Sequence, residues 1–469
     1  MARFARKGLI AAMEDGDLEG MDVVASENPD VEASDSMVEA ADAEIAATEE
    51  AAAVESLVVA IEEAVEEANA AEEIIETAEA VATDEPKAGG EEGEMVGLEP
   101  QAAAIAEEAL AQIYSRLGVR KERVLPSLES FASANSRKTA TRIGLEGAMD
   151  TLKEVWRRII EAIKAMWNRL VTFVKKITDA NLSLEKAAKA LKEKVKKGLK
   201  GKQIRGDKDY FEDGSVAAAF PVGKKVTPQV INDAITTVTN AANNIVGATK
   251  ASDSADQLVT AITTTVGSKN TLDLAKIRAL TTGVISGLAG SFTGANVSIN
   301  PLQDTEGEAE STKMLPFGKT VKAEYRCYIP DPKADEEVEL EAYLRVSFID
   351  HSDADTSENK ADIGMQSELE KICENVATLA KSNNKAASNV DKLRADSEKI
   401  NKKIDSAIKS KDFDEASSKD VRQYMRLMKG VVVSANNTQV NFFSQILSLN
   451  VKTGRAALSY VNKCVAQYA

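Results

Sequence analysis

The chain has 469 residues, room for roughly three domains of about 150 residues each. It is acidic, with 75 Asp and Glu against 58 Lys and Arg and a formal charge of −17, and only 4% of its residues are aromatic. One histidine, His351, and three cysteines far apart, Cys327, Cys373 and Cys464, leave little material for a metal cage or a histidine-based triad and give no support to a disulfide framework.

At the start, Arg3, Arg6 and Lys7 precede the apolar run Leu9 to Met13, which is too short for a secretory core segment, so a cytoplasmic origin is expected. The best candidate for a membrane span, Ile159 to Ile177, is interrupted by Glu161, Lys164, Arg169, Lys175 and Lys176. Charge is distributed very unevenly. Residues 1–129 carry 33 acids and 8 bases, net −25, and the remainder carries 42 acids and 50 bases, net +8. From Glu14 to Glu108 there are 31 acids and one base, Lys87, set in alanine with sparse Val58, Ile61, Val65, Ile74 and Ile75. Such a composition predicts an acidic leader over 1–129 that is disordered or weakly helical, with frayed helix around Ala51 to Val81. It reads either as a solubilising tail or as a removable or partner-binding segment that masks positive charge elsewhere.

Glycines at Gly89, Gly90 and Gly97 interrupt the pattern before a short helical stretch, Ala102 to Leu117, closed by Gly118. The stretch 130–146 reads as an exposed linker. A basic amphipathic segment follows over 147–205, in which Met149, Leu152, Trp156, Ile159, Ile163, Met166, Leu170, Val174 and Ile177 recur at spacings of three and four. From Lys153 to Arg205 there are 16 bases and 5 acids. The candidate contacts to nucleic acid or another anionic surface are Lys153, Arg157, Arg158, Lys164, Arg169, Lys175, Lys176, Lys186, Lys189, Lys192, Lys196 and Lys197.

A Thr- and Ala-rich helical region spans 206–315, with helices at Pro228 to Ala248 and Leu272 to Leu288 and loops at Lys250 to Asp256 and Ser291 to Asn300. Alternation in Val321, Ala323, Tyr325, Cys327 and Ile329, repeated from Val338 to Phe348, predicts a β-hairpin over 316–350. Periodic apolar residues over 363–469 predict a long antiparallel helical pair, with a weak point at Ser382 to Ser388. The fold class is therefore mainly α with a β-hairpin insertion (α+β).

Chemistry-bearing motifs are few. No Walker-type phosphate loop occurs, and Gly283, Gly287 and Gly290 have the spacing of a helix-packing face. Asp350-His351-Ser352-Asp353 reads as the polar end of a hairpin, with a divalent-ion site as the rival reading, and the cysteines read as small core residues. No cofactor or metal is implied. The basic segment admits three readings: salt-sensitive, sequence-independent contact with nucleic acid; an interfacial helix lying on an anionic membrane through Trp156 and Trp167; or an apolar face packed on the C-terminal helices with lysines solvating the outside.

Ser127-Leu128-Glu129-Ser130 and Gly144-Leu145-Glu146-Gly147, placed on either side of a polar run and just before a Trp-bearing basic helix, resemble internal head proteins of giant contractile-tailed bacteriophages. In that family a prohead protease cuts after a small residue, any residue and glutamate. The resemblance implies a non-catalytic virion protein of the capsid interior, cleaved after Glu129 and/or Glu146. Its implied partners are the prohead protease, capsid core proteins and packaged DNA. Cutting after Glu129 turns the −17 chain into a +8 product, and cutting after Glu146 into a +6 product. The alternative is a membrane-active or injected effector using the Trp-bearing helix. An enzymatic reading lacks a constellation to carry it.

Overall fold

The computed structural model describes residues 29–83, 108–113, 134–205, 208–221, 225–244, 248–265, 272–331, 340–352, 354, 358–409 and 419–468. The protein is mainly α-helical with a β-hairpin inserted between helical segments. It divides into two compact units. One comprises, among the described residues, 56–165 and 405–409; the other comprises 29–55, 166–404 and 419–468.

Helix α1 (Pro29–Thr83) contributes to both units, as does helix α2 (Ala134–Gly198). The Ala- and Glu-rich composition of α1 favours helix, and Ala47, Ala51, Val54, Leu57, Ile61, Val65, Ala68, Ala71, Ile75 and Ala78 recur along one buried stripe. In α2 the stripe anticipated from Met149 begins earlier. Thr141, Leu145, Ala148, Leu152 and Trp156 are buried at spacings of four, three, four and four. The stretch 134–146, expected to be an exposed linker, is therefore helical from Ala134. Gly144 and Gly147 do not interrupt it, because the apolar period continues through them. The stripe runs on through Ile177, Leu184, Leu191 and Val195, and the helix stops at Gly198 before the turn that holds Gly201 at φ +78°.

The second unit holds the remaining strands and helices named below, apart from the last four residues of α8. Strand β1 (Tyr210–Glu212) is followed by α3 (Gly214–Ala219), α4 (Pro228–Asn243), α5 (Ala248–Thr263) and α6 (Leu274–Thr293). Strands β2 (Thr305–Glu310), β3 (Lys319–Tyr328) and β4 (Glu341–Asp350) come next. Strand β5 (Lys360–Asp362) precedes helices α7 (Gln366–Ala387), α8 (Asn389–Ile408) and α9 (Lys419–Val465). The loop expected at Lys250 to Asp256 lies inside α5, whose face of Ala251, Ala255, Leu258, Val259 and Ile262 is buried. Its first two turns hold Lys250, Ser252, Asp253 and Ser254 and read as loop until the apolar residues that follow are counted.

The hairpin β3–β4 pairs Val321 with Phe348 and Cys327 with Ala342. It is widened by β2, whose Gly307 faces Tyr325 across the ladder. A Cβ at Gly307 would lie 2.7 Å from the Tyr325 hydroxyl, so the ring lies directly across the glycine. Strand order is β2-β3-β4, leaving β4 at an edge. Polar side chains of α9 complete that edge. Leu344 N–H donates to Ser434 Oγ (2.8 Å), Thr438 Oγ1 donates to the Leu344 carbonyl (3.0 Å), and Asn441 Nδ2 donates to the Val346 carbonyl (3.0 Å). This accounts for Ser434, Thr438 and Asn441 among the apolar residues of the long C-terminal helix.

The expected helical pair is antiparallel, since Val376 lies near Gly454, Asn383 bonds Asn450 and Ser397 bonds Asn436. Its first member is divided into α7 and α8 at Ser388.

Candidate nucleic-acid interface

Every basic residue singled out from the sequence lies on α2. Within the unit containing 134–165, Lys153 stands 3.9 Å from Asp150, while Arg157 and Arg158 share Glu154 at 2.8 and 3.2 Å. The hydrogen bond from Arg157 holds the Glu154 carboxyl below its ordinary range. Both arginines are thus half-committed to a neighbour one turn away. Lys164, among the described residues, has no ion pair.

In the other unit Lys175, Lys186 and Lys197 follow at intervals of eleven residues. Eleven residues return a helix to within about 20° of its starting direction, so these lysines form a row. The row faces away from the buried stripe, because Lys175 stands nine residues, about 180°, from buried Met166. Lys189 and Lys196, seven residues apart, flank the row, and all five side chains are exposed. From Lys175 to Lys197 the row covers ~33 Å of helix.

Neighbouring carboxylates cancel part of this charge. Lys176 lies 2.9 Å from Glu50 on α1, Lys189 lies 2.6 Å from Glu185, Lys192 lies 2.6 Å from Glu374 on α7, and Lys197 lies 3.9 Å from Glu193. Lys175, Lys186 and Lys196 form no ion pair among the described residues. Lys196 and Lys197 also occupy the last turn of α2, where cations oppose the negative end of the helix dipole. Arg169 is half-buried on the flank of the stripe. Sequence reading missed Lys381 of α7, which joins the row by approaching Glu185 to 3.5 Å. Its sole sequence signal was its position opposite the apolar face of α7.

The apolar side of α2 is committed to the interior. Trp167 is 1% exposed, and its indole N–H donates to Asn436 Oδ1 of α9 at 2.7 Å. Trp156 is 3% exposed. Asn181 donates to Asn384, and Asn383 donates to Asn181, tying α2 to α7. Lying on a membrane through the two indoles would require withdrawing both from packed surroundings. No described helix is long and apolar enough to cross a membrane.

Of the two cleavage motifs, Ser127, Leu128, Glu129 and Ser130 lie outside the described residues. Gly144, Leu145, Glu146 and Gly147 lie within α2. Gly144 and Leu145 are buried there, Leu145 at 5% exposure, while Glu146 is exposed.

Burial pushes the Cys327 thiol up to about 11, Cys373 to about 12 and Cys464 to about 11, so these groups stay protonated and poorly nucleophilic. His351 donates its backbone N–H to the Gly318 carbonyl at the end of β4 (2.7 Å). Among the described residues no group of three or more His, Cys, Asp or Glu is placed to hold a metal ion.

A family model described as phiKZ-like phage internal head proteins matches residues 33–463. No curated protein and no solved structure matches the chain. Because the family match extends from α1 into α9 and takes in both units, the chain belongs to the phiKZ-like phage internal head proteins, structural proteins of the virion's capsid interior.

Proposed function

We propose that the chain is made in the host cytoplasm as a precursor with an acidic leader and is cut by a prohead protease. The basic remainder is then packed inside the capsid beside DNA, together with other core proteins. The observation that carries this reading is the division of charge: −25 up to Glu129 and +8 beyond it. The exposed lysine row of α2 gives the positive part a face on which phosphates can sit, and neutralising them releases counterions without any reading of bases. The ion pair between Glu50 of α1 and Lys176 of α2 gives the leader a foothold on the same helix.

Local structure bears on the second candidate cut. A protease takes its substrate extended, and Gly144 to Gly147 are helical with Leu145 buried. Cleavage after Glu146 therefore requires α2 to unwind at its start. Glu129 precedes α2 in the chain and lies outside the described residues. A cut after Glu129 alone already divides the charge, and a cut after Glu146 follows only where the first turns of α2 open.

Terminal mapping of the polypeptide recovered from mature particles is the test. A start at Ser130 or Gly147 supports the reading, and Glu129→Gln should leave uncut precursor in particles. Stoichiometric recovery of peptides beginning at Met1 would refute it.

A further inference from the structure

Beyond the end of α2 the chain builds a second, unrelated basic feature in the same unit. Strand β1 pairs with β5, setting Tyr210 opposite Asp362 and Glu212 opposite Lys360. Val226 pairs with the other edge of β5: its N–H donates to the Lys360 carbonyl (2.9 Å), and its carbonyl accepts from Asp362 N–H (2.8 Å). Three segments thereby converge on one ring. The ammonium groups of Lys208, Lys225 and Lys360 lie 5.4, 5.0 and 5.6 Å from the centroid of Tyr210, within cation–π range.

The opposite wall comes from the C-terminus. Arg205 N–H donates to the Gln467 carbonyl (2.8 Å), and Ile204 bridges Tyr468. Between the walls is an open cleft of about 390 Å³, lined by Arg205, Lys208, Tyr210, Phe211, Glu212, Ile363 and Gln467. Its floor is firm, for Phe211 packs on Tyr460 with ring centroids 6.0 Å apart.

Charge in the cleft is not balanced group by group. Lys225 is held by Asp209 (3.3 Å) and Asp362, and Lys360 by Glu358 (3.1 Å). Arg205 and Lys208 have no carboxylate partner among the described residues, and Glu212 is the acid in the lining. Two cations without a carboxylate partner among the described residues, one of them, Lys208, over the Tyr210 ring, in a cleft at the small end of the ligand-pocket range, suit a ligand with an anionic group and a flat, polarisable one.

We propose that this cleft binds a single unpaired nucleotide of a nucleic-acid strand, with Arg205 and Lys208 on the phosphate and Tyr210 against the base. A duplex cannot supply that ligand, because its bases are stacked and paired inside, whereas a single strand presents both groups at once. The inference deepens the DNA-packing reading and rests on it. The lysine row of α2 would meet any phosphate backbone, and the Tyr210 cleft would favour strand ends and melted stretches.

The test is fluorescence anisotropy of the full chain and of the trimmed chain with a labelled twelve-nucleotide oligo(dT) and with a duplex of equal phosphate number. Tyr210→Leu should weaken oligo(dT) binding about 5- to 20-fold and leave duplex binding unchanged, and Tyr210→Phe, which keeps the ring, should retain the wild-type value. Arg205→Ala with Lys208→Ala should lower the salt slope for oligo(dT) by about one to two units. Circular dichroism melting checks that each variant folds. Duplex binding with no dependence of oligo(dT) affinity on Tyr210 overturns the cleft and leaves the lysine row standing. Absence of binding to both oligonucleotides at low salt overturns the cleft and the DNA reading together.

Discussion

Asn436 shows how one polar side chain can position a long helix. Its carboxamide oxygen accepts from the Trp167 indole and from Ser397, and its own NH₂ donates back to the Val432 carbonyl (2.7 Å), all out of water. Removing the acceptor strands two buried donors, each costing about 1–3 kcal/mol. Asn436→Leu should therefore destabilise the protein by about 2–3 kcal/mol in urea unfolding followed by circular dichroism. Trp167→Phe added to it should cost less than it does in the wild-type background, since the stranded indole N–H is then gone. Additive losses would mean the bond does not couple the two helices. At the start of α3, Asp213 caps the helix and meets Lys463. Burial alone would raise its carboxyl, but hydrogen bonds from Lys463, Ser215 and Val216 N–H outweigh burial and hold it at about 2. A depressed carboxyl stabilises the fold above its ordinary value of 3.8, and that contribution is lost as pH falls through about 2. Asp213→Asn should thus cost about 2 kcal/mol near neutral pH, with the gap to wild type closing between pH ~4 and ~2. A gap of constant size across that range would show that the charge of Asp213 contributes nothing.

Among whole elements, periodicity made the helices of the C-terminal pair and the hairpin legible, because each has one buried face and a clean repeat of 3.6 or 2. What stayed hidden depends on contacts distant in sequence. Strand β2, Thr305–Glu310, is mostly charged or small and qualifies as a strand only because Tyr325 lies over Gly307 and because Lys322 and Arg326 pair with Glu308 and Asp304. The start of α2 reads as linker because Ala132 to Arg142 is a polar run, and the buried stripe of Thr141, Leu145 and Ala148 makes it helix. For the candidate interface, the bases themselves were visible. Their cancellation by Glu50 and Glu374 was not, and neither was the cleft at Tyr210, whose walls come from chain segments more than a hundred residues apart. Gly454 makes the same point within α9. By propensity it weakens the helix by about 1 kcal/mol relative to alanine. Yet a Cβ there would lie 2.5 Å from Leu184 Cδ2 and 3.4 Å from Val376 Cγ1, so glycine is what lets α2 approach α9. Gly454→Ala should lower stability by about 1–2 kcal/mol despite the better helix former, and Leu184→Ala should cost less in that background than alone. A stabilised Gly454→Ala would show that the approach is looser than described.

For the molecule as a whole, the proposed cut and the reversal of charge are expected to be separate events. Val54, Leu57, Ile61 and Ile75 of α1 are each no more than 1% exposed, and each buried aliphatic side chain contributes about 1.5–3 kcal/mol. The ion pair between Glu50 and Lys176, with side chains 23% and 39% exposed, contributes at most about 1 kcal/mol and is screened by salt. Apolar burial therefore dominates the leader's hold. The proposed cut after Glu129 is expected to sever the backbone without exposing the buried stripe of α1. The nicked protein should elute from size exclusion as one species of two polypeptides in ~0.5 M salt, where the Debye length is only a few ångströms, and should separate in urea. Its DNA affinity should resemble that of the precursor until α1 is stripped or cut again. The stripped body should then bind more tightly, with log affinity falling linearly with log salt concentration in proportion to the phosphates neutralised. Release of the leader by salt alone would show that charge, not the buried stripe of α1, holds it in place.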